Sequence, residues 1–332
     1  MLLKRILACA LVLLLTLLPS GCAGQTTERQ SAVGFYLDTV ITLSAYVEDA
    51  QVLEDALAEC GRYEALLSRT MEGSDVWKLN HAGGQPVKVS EDTAAVIEAA
   101  QQVSALSDGA FDITIAPAST LWDFTSGAKA LPDADTLAEA VSRIDYRRIS
   151  IEGNRVTLPE GMMIDLGGIA KGYIADKVKE YLIDRGVTSA ILSFGGNIVA
   201  IGTKPDGSPW KVGIQDIDRP TGEYMLVAKN FGGSTVTSGI YERGFELDGQ
   251  YYHHILSPRT GWPVENELAS VTIFSNSSTL GDALATAAFL LGTEKGVELI
   301  ESLGDRDSVE AVFIAKDRTV TYTSGASEYM ID

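Results

Sequence analysis

The stretch IDLGGIAKGYIAD, residues 164–176, runs an apolar segment into a helical one through two adjacent glycines. A helix that opens on Gly167 and Gly168 presents unpaired N–H groups and a partial positive charge, and glycine lets another group come close to the backbone. Lys171 adds a full positive charge one turn further in. The glycine spacing fits neither G-x-G-x-x-G nor a Walker loop. Two readings stay open at this point. One is an anion-binding turn; the other is a strand-to-helix connection in which Asp165 bonds nearby amides.

Working outward, SAILSFGGNIVAIG (189–202) gives two apolar strands joined by a second double glycine, and ISIEGNRVTL (149–158) gives a hairpin with Gly153-Asn154 at its turn. Further strands are predicted at 210–214, 225–228, 234–238 and 269–275, with hairpins at 243–254 and 310–323. Phe35–Val47 has strand composition, Met163–Asp165 reads as a strand end, and GAFDITIAPA (109–118) as a buried turn and strand. Apolar spacing predicts helices over Ala50–Ser68, Ser90–Leu106, Asp133–Ile144, Ile169–Arg185, Leu280–Leu291 and Thr293–Leu303. Residues 68–84 have no clear period and read as an irregular loop. Strands and helices mix without regular βαβ alternation, so the fold class is α+β rather than a doubly wound sheet. Neither linker nor repeat interrupts residues 33–332, which read as one continuous body.

The net charge of −19 over 332 residues argues against a general nucleic-acid binder, which needs a cationic face. A polyanionic substrate would need a metal or a local basic spot. At the N-terminus, Lys4 and Arg5 precede the apolar run Ile6–Leu18 and then LPSGC. This resembles a signal peptide (1–21) ending in a bacterial lipobox, with Cys22 as the lipidated residue, and implies an extracytoplasmic protein anchored to the cell membrane. Pro19 departs from the usual lipobox, and a plain signal peptide is the other reading. Residues 22–32 read as a flexible tether. Cys60 then has no partner and lies on the apolar face of its helix, so no disulfide is expected.

LGDALATAAFL (280–290) places Asp282 and Thr286 four apart on one face of a helix that is otherwise almost all Ala and Leu. A buried carboxylate needs a partner. Carboxylate, hydroxyl and carbonyl oxygens suit Mg²⁺; the alternative is an acid that serves the helix N-terminus and a threonine that bonds back to a carbonyl. His253 and His254 are adjacent on a strand and point to opposite faces, so at most one reaches a given site, where it could act as a base.

GAFDITIAP, IDLGGIAKGYIAD, SFGGNI, VTSGIYER, HHILSPRTG and GDALATA follow one another in a single order. In this the chain resembles the ApbE family of FAD:protein FMN transferases, many of them membrane lipoproteins. The resemblance implies a T-fold-like α+β body that binds FAD and Mg²⁺. It implies transfer of FMN from FAD to a Thr or Ser of a partner flavoprotein carrying a Ser/Thr-Gly-Ala-Thr-like segment, with AMP released. It assigns Leu37, Ala110, Phe111, Asp112, Asp165, Lys171 and Leu256 to FAD. It assigns Gly168, Asp282, Ala285 and Thr286 to the metal, and His254 to proton removal. Two positions depart from the family pattern: Ser257 replaces an aspartate in D-P-x-T-G, and Leu37 replaces a methionine. TSGAS (323–327) faintly resembles an acceptor segment and is read as a common Ser/Gly turn. The competing functions are an FAD pyrophosphatase and a ligand-binding lipoprotein without catalysis.

Overall fold

The computed structural model describes residues 28–331 except 125, 126, 128, 221 and 305–307, so the signal segment and Cys22 lie outside the described residues. In chain order the elements are β1 (Arg29–Tyr36), β2 (Thr39–Tyr46), α1 (Gln51–Leu67), α2 (Asp75–Asn80), β3 (Val87–Lys88), α3 (Glu91–Leu106), α4 (Ala116–Ser119) and α5 (Ala134–Val141). Then come β4 (Ser150–Glu152), β5 (Arg155–Thr157), α6 (Ala170–Asp184), β6 (Ala190–Phe194), β7 (Asn197–Ile201), β8 (Trp210–Gln215), β9 (Tyr224–Asn230) and β10 (Ser234–Gly239). The chain ends with β11 (Gly244–Leu247), β12 (Gln250–His253), β13 (Leu268–Ser275), α7 (Ser278–Leu303), β14 (Glu310–Ala315) and β15 (Val320–Tyr322).

An eight-stranded antiparallel sheet, ordered β1-β2-β6-β7-β10-β13-β14-β15, organises the molecule, and the architecture is α+β. Period-two alternation turns Ile41, Leu43, Leu192, Phe194, Val199, Val236 and Ile273 to one face, where they meet the apolar sides of α1, α6 and α7. At the far edge the other face carries Phe274, Val312 and Ile314 against the β8–β9 ribbon, and Phe274 stacks on Tyr329 with ring centres 4.7 Å apart. No described helix is long and apolar enough to cross a membrane.

The crossing of α6 and α7 positions the site. A Cβ on Gly172 would lie 2.1 Å from the Ser278 carbonyl, so only glycine permits this approach. Asp176 on α6 accepts hydrogen bonds from the Ser278 and Thr279 amides at 2.8 and 2.9 Å and from the hydroxyls of Ser277 and Thr279 at 2.9 and 2.7 Å. A carboxylate at a helix N-terminus satisfies orphan donors and opposes the dipole, so it pins the first turn of α7 onto α6. α7 breaks at Gly292 (φ 78°), where Glu267 caps the second segment through the Thr293 amide at 2.8 Å, matching the two helices read from the sequence.

Five expectations change. The predicted strand Phe35–Val47 is a hairpin, because Leu37 and Asp38 both take positive φ (55° and 54°) in its turn. The tether ends earlier than residue 32: β1 begins at Arg29, held by the ladder to β2. The loop 68–84 contains α2, nucleated by the Ser74 hydroxyl accepting from the Trp77 amide at 2.9 Å. Residues 109–118 form no strand; Asp112 caps a 3₁₀ turn at Ile113–Ile115 that runs into α4. Met163–Asp165 forms no strand, although the Asp165 amide donates to the Ile113 carbonyl at 2.7 Å.

Candidate active site at the crossing of two helices

Three segments converge: the loop entering α6, the early turns of α7, and the turn 240–243 after β10. Asp282 is 3% exposed. Its Oδ2 accepts from the Gly172 amide at 2.9 Å, and its Oδ1 lies 3.9 Å from Lys171 Nζ. Ile169 immediately precedes α6, so the Gly172 amide is one of the first-turn N–H groups that find no partner inside the helix. Here Asp282 takes that amide, and among the described residues nothing donates to the Gly168 carbonyl. A Cβ on Gly168 would lie 3.6 Å from Thr286 Oγ1 and 3.0 Å from the Phe111 ring, so this glycine sits against both. Thr286 Oγ1 is also 3.3 Å from the Asp282 carbonyl and from Ser238 Oγ. Asp282, Thr286, Gly168 and Lys171 are therefore brought together, with Ala285 fully buried beside them on α7.

Glu242 keeps solvent contact although protein surrounds it, as on the wall of a cleft. Loss of hydration pushes its carboxyl up to about 7, with the Lys171 charge opposing the rise and the Asp282 charge adding to it. His254 joins the same cleft. Loss of hydration pushes its imidazole down to about 4, with Lys171 and Arg243 adding to the effect. Its Nδ1 lies 3.1 Å from the Arg243 carbonyl, an acceptor, which assigns the proton to Nδ1 and leaves the lone pair on Nε2. His253 points the other way, as strand alternation requires. It is buried against Phe289, with Nε2 3.2 Å from the Val264 carbonyl and Nδ1 accepting from the Ile255 amide at 3.3 Å.

Asp165 is oriented by three donors: the Gly167 amide at 2.9 Å, Ser119 Oγ at 3.2 Å and Arg69 Nε at 3.0 Å. Asp112 has no free oxygen facing outward in this arrangement. Its Oδ1 accepts from the Thr114 amide and hydroxyl at 2.8 and 2.7 Å, and its Oδ2 from the Tyr146 amide at 2.9 Å. Burial raises its pKa and those bonds oppose the rise. It shapes the segment in which Ala110 turns, with its amide 3.0 Å from the Ser107 carbonyl, and Phe111 reaches Gly168. Leu37 lies at the hairpin turn, its amide donating to Glu64 Oε1 at 2.8 Å. Leu256 packs with Trp122, Phe245 and Tyr252 rather than against Asp282. Ser257 keeps the SPRTG turn closed, its hydroxyl accepting from the Arg259 amide at 3.3 Å and its carbonyl from the Gly261 amide at 2.7 Å. TSGAS is a structural turn: Thr323 is buried and donates to Glu310.

Sequence reasoning missed Glu242, Ser238, Arg69 and Ser119. Glu242 lies inside VTSGIYER, where an acid in a short turn was the available signal. Arg69 lies in an aperiodic stretch that gave none.

The fold and cleft define an α+β protein whose site joins one buried acid, one lysine and one free backbone carbonyl at a helix crossing. The ApbE family model matches residues 37–313. An FAD:protein FMN transferase of Treponema pallidum (strain Nichols) is 36% identical over 328 residues, covering 92% of this chain and 90% of that protein. One from Klebsiella pneumoniae (strain 342) is 35% identical over 291 residues, covering 86% and 88%. Among solved structures, the ApbE protein of Thermotoga maritima superposes with a TM-score of 0.84 at 28% identity, over 92% of this chain and 100% of that one. The flavinyl transferase ApbE of Pseudomonas stutzeri gives 0.80 at 30% identity, over 91% and 96%. The chain belongs to the ApbE family.

Proposed function

We propose that this protein transfers FMN from FAD to a Thr or Ser hydroxyl of a partner flavoprotein, with Mg²⁺ required and AMP released. The observation that carries the reading is the convergence of Asp282, Thr286 and the unbonded Gly168 carbonyl beside Lys171. The donor set fits a hard divalent cation: the Asp282 carboxylate, the Thr286 hydroxyl and the carbonyls of Gly168 and Ala285 would hold it. No group of three or more His, Cys, Asp and Glu forms a metal cluster among the described residues, and one carboxylate with neutral oxygens leaves room for phosphate oxygens. Bound there, the cation would neutralise charge on the pyrophosphate and on the leaving phosphate.

The chain's own groups do the rest. Lys171 places a positive charge beside the acid, and the glycines admit the phosphates to the α6 N-terminus. His254, neutral and anchored through Nδ1, offers Nε2 to the acceptor hydroxyl. As that oxygen bonds to the FMN phosphorus, the bond to the AMP phosphate breaks. The hydroxyl proton goes to Nε2, and AMP leaves with the electron pair. An anionic substrate in the cleft raises the His254 pKa and improves it as a base.

The test incubates the protein with FAD, MgCl₂ and a folded flavoprotein domain bearing a Ser/Thr-Gly-Ala-Thr segment. Covalent flavin on the acceptor and an equal yield of AMP are expected, both abolished by EDTA. Free FMN with an unlabelled acceptor favours hydrolysis instead, and AMP release unaffected by EDTA removes the metal. The same proposal places the protein outside the cytoplasm on a lipid at Cys22. Metabolic labelling with alkynyl palmitate should mark the wild type and not Cys22→Ser.

A further inference from the structure

The outer face of the β1–β2 hairpin changes character along its length. Phe35 stands opposite Val40, Val33 opposite Thr42, Ser31 opposite Ser44 and Arg29 opposite Tyr46. These side chains share one face, and the residues between them, such as Ala32, Ile41 and Leu43, are buried on the other. Phe35, Val33 and Val40 are 68%, 63% and 56% exposed. Further along, the Ser31 and Ser44 hydroxyls bond at 2.8 Å, and the Arg29 guanidinium lies over the Trp210 ring at 5.7 Å. The exposed apolar surface is thus confined to the turn end.

That end borders the active-site cleft. Arg243 Nη2 lies 3.5 Å from the Asp38 carbonyl, and the Arg243 carbonyl holds His254. Thr39 packs on the second double glycine, where a Cβ on Gly195 would lie 2.1 Å from Thr39 Oγ1. A Cβ on the next residue, Gly196, would lie 3.1 Å from Glu242 Oε1. The apolar tip and the proton acceptor are linked through one arginine.

We propose that the Val33–Phe35–Val40 face docks the flavin-accepting protein and seats its hydroxyl beside His254. The inference rests on the transfer reaction proposed above, in which a folded protein must offer one hydroxyl to the cleft and the rim must take the body around it. Clustered apolar side chains continuous with a reaction cleft suit a protein partner better than scattered ones. The gradient along the hairpin argues against lipid as the occupant. The chain leads toward Cys22 from the Arg29 end, and a face resting on lipid beside its anchor would be apolar there, whereas that end is polar and charged.

The test uses the full chain with Val33→Thr, Phe35→Ser and Val40→Thr combined; all three side chains are exposed, and an unchanged melting curve confirms the fold. The KM for the acceptor protein should rise about tenfold or more, as loss of an apolar anchor does. The KM for FAD, and the rate of transfer to a short peptide carrying the same Ser/Thr-Gly-Ala-Thr segment, should match the wild type. An unchanged KM for the acceptor protein overturns the proposal. So does unchanged transfer accompanied by lost binding to phosphatidylglycerol vesicles or by lost self-association, which would assign the face to lipid or to a second copy. A wild type that labels no acceptor brings down the transferase reading and the docking with it. A wild type and variant that label equally bring down the docking alone.

Discussion

Asp112 and Asp282 are both buried acids that the sequence marks with a motif, and they have opposite surroundings. Three donors from the chain fill Asp112: the Thr114 amide, its hydroxyl and the Tyr146 amide. Asp282 accepts one amide, has a lysine 3.9 Å away, and shares its site with the Gly168 carbonyl, to which no described residue donates. A buried carboxylate is costly unless its capacity is satisfied. Where the chain satisfies it, as at Asp112, the acid holds a turn. Where the chain leaves it short, as at Asp282, a ligand has something to complete.

The sharpest way to break this contrast is Asp282→Ala. Flavin transfer should fall about 10²–10³-fold, the scale of losing one electrostatic stabiliser at a reacting centre, while stability falls by only about 1–2 kcal/mol because a single buried amide loses its partner. A melting temperature that drops as far as the activity would make Asp282 structural. Asp112→Ala should do the reverse. Leaving the Thr114 and Tyr146 donors without their acceptor should cost about 2–3 kcal/mol in urea unfolding, and folded protein should keep its EDTA sensitivity. A variant that loses transfer at unchanged stability would place the Asp112 carboxylate on the substrate.

A smaller effect concerns pH. The His254 pKa is depressed in the folded chain to about 4 from 6.5, so protonation favours the unfolded state. Its contribution to stability is complete above about 6.5 and is lost as pH falls from there through about 4. The same depression keeps the base neutral, so kcat/KM should show no acidic limb near 6.5. His254→Gln should lower kcat without restoring such a limb. A limb at 6.5 in the wild type would mean an exposed, ordinary imidazole.

Much of the fold was legible because its causes are local. Ser90, Asp133 and Ser277 each cap a helix through their own neighbours. Gly186 closes α6 at φ 81°. The alternation in β6 and β7 and the Gly292 break are likewise written in adjacent residues. Locality failed where one side chain redirected the backbone, as Asp112 does in turning an apolar run into a 3₁₀ helix, or where Leu37 and Asp38 accept positive φ without a glycine to announce it. The site was legible mainly through motif order, which named Asp282, Thr286, Gly168, Lys171 and His254 without saying how they meet.

The sequence alone determined the α+β class, the helices and their caps, and the family. It could do so because periodicity, capping and motif order act over a few residues or along the chain. Only the tertiary structure decided that Asp282 takes the Gly172 amide across 110 positions, that Glu242 lies against Gly196, and that Arg69 orients Asp165. The first of these depends on how closely two helices cross, and that distance is set by what a glycine leaves out, a quantity that exists only once both helices are in place.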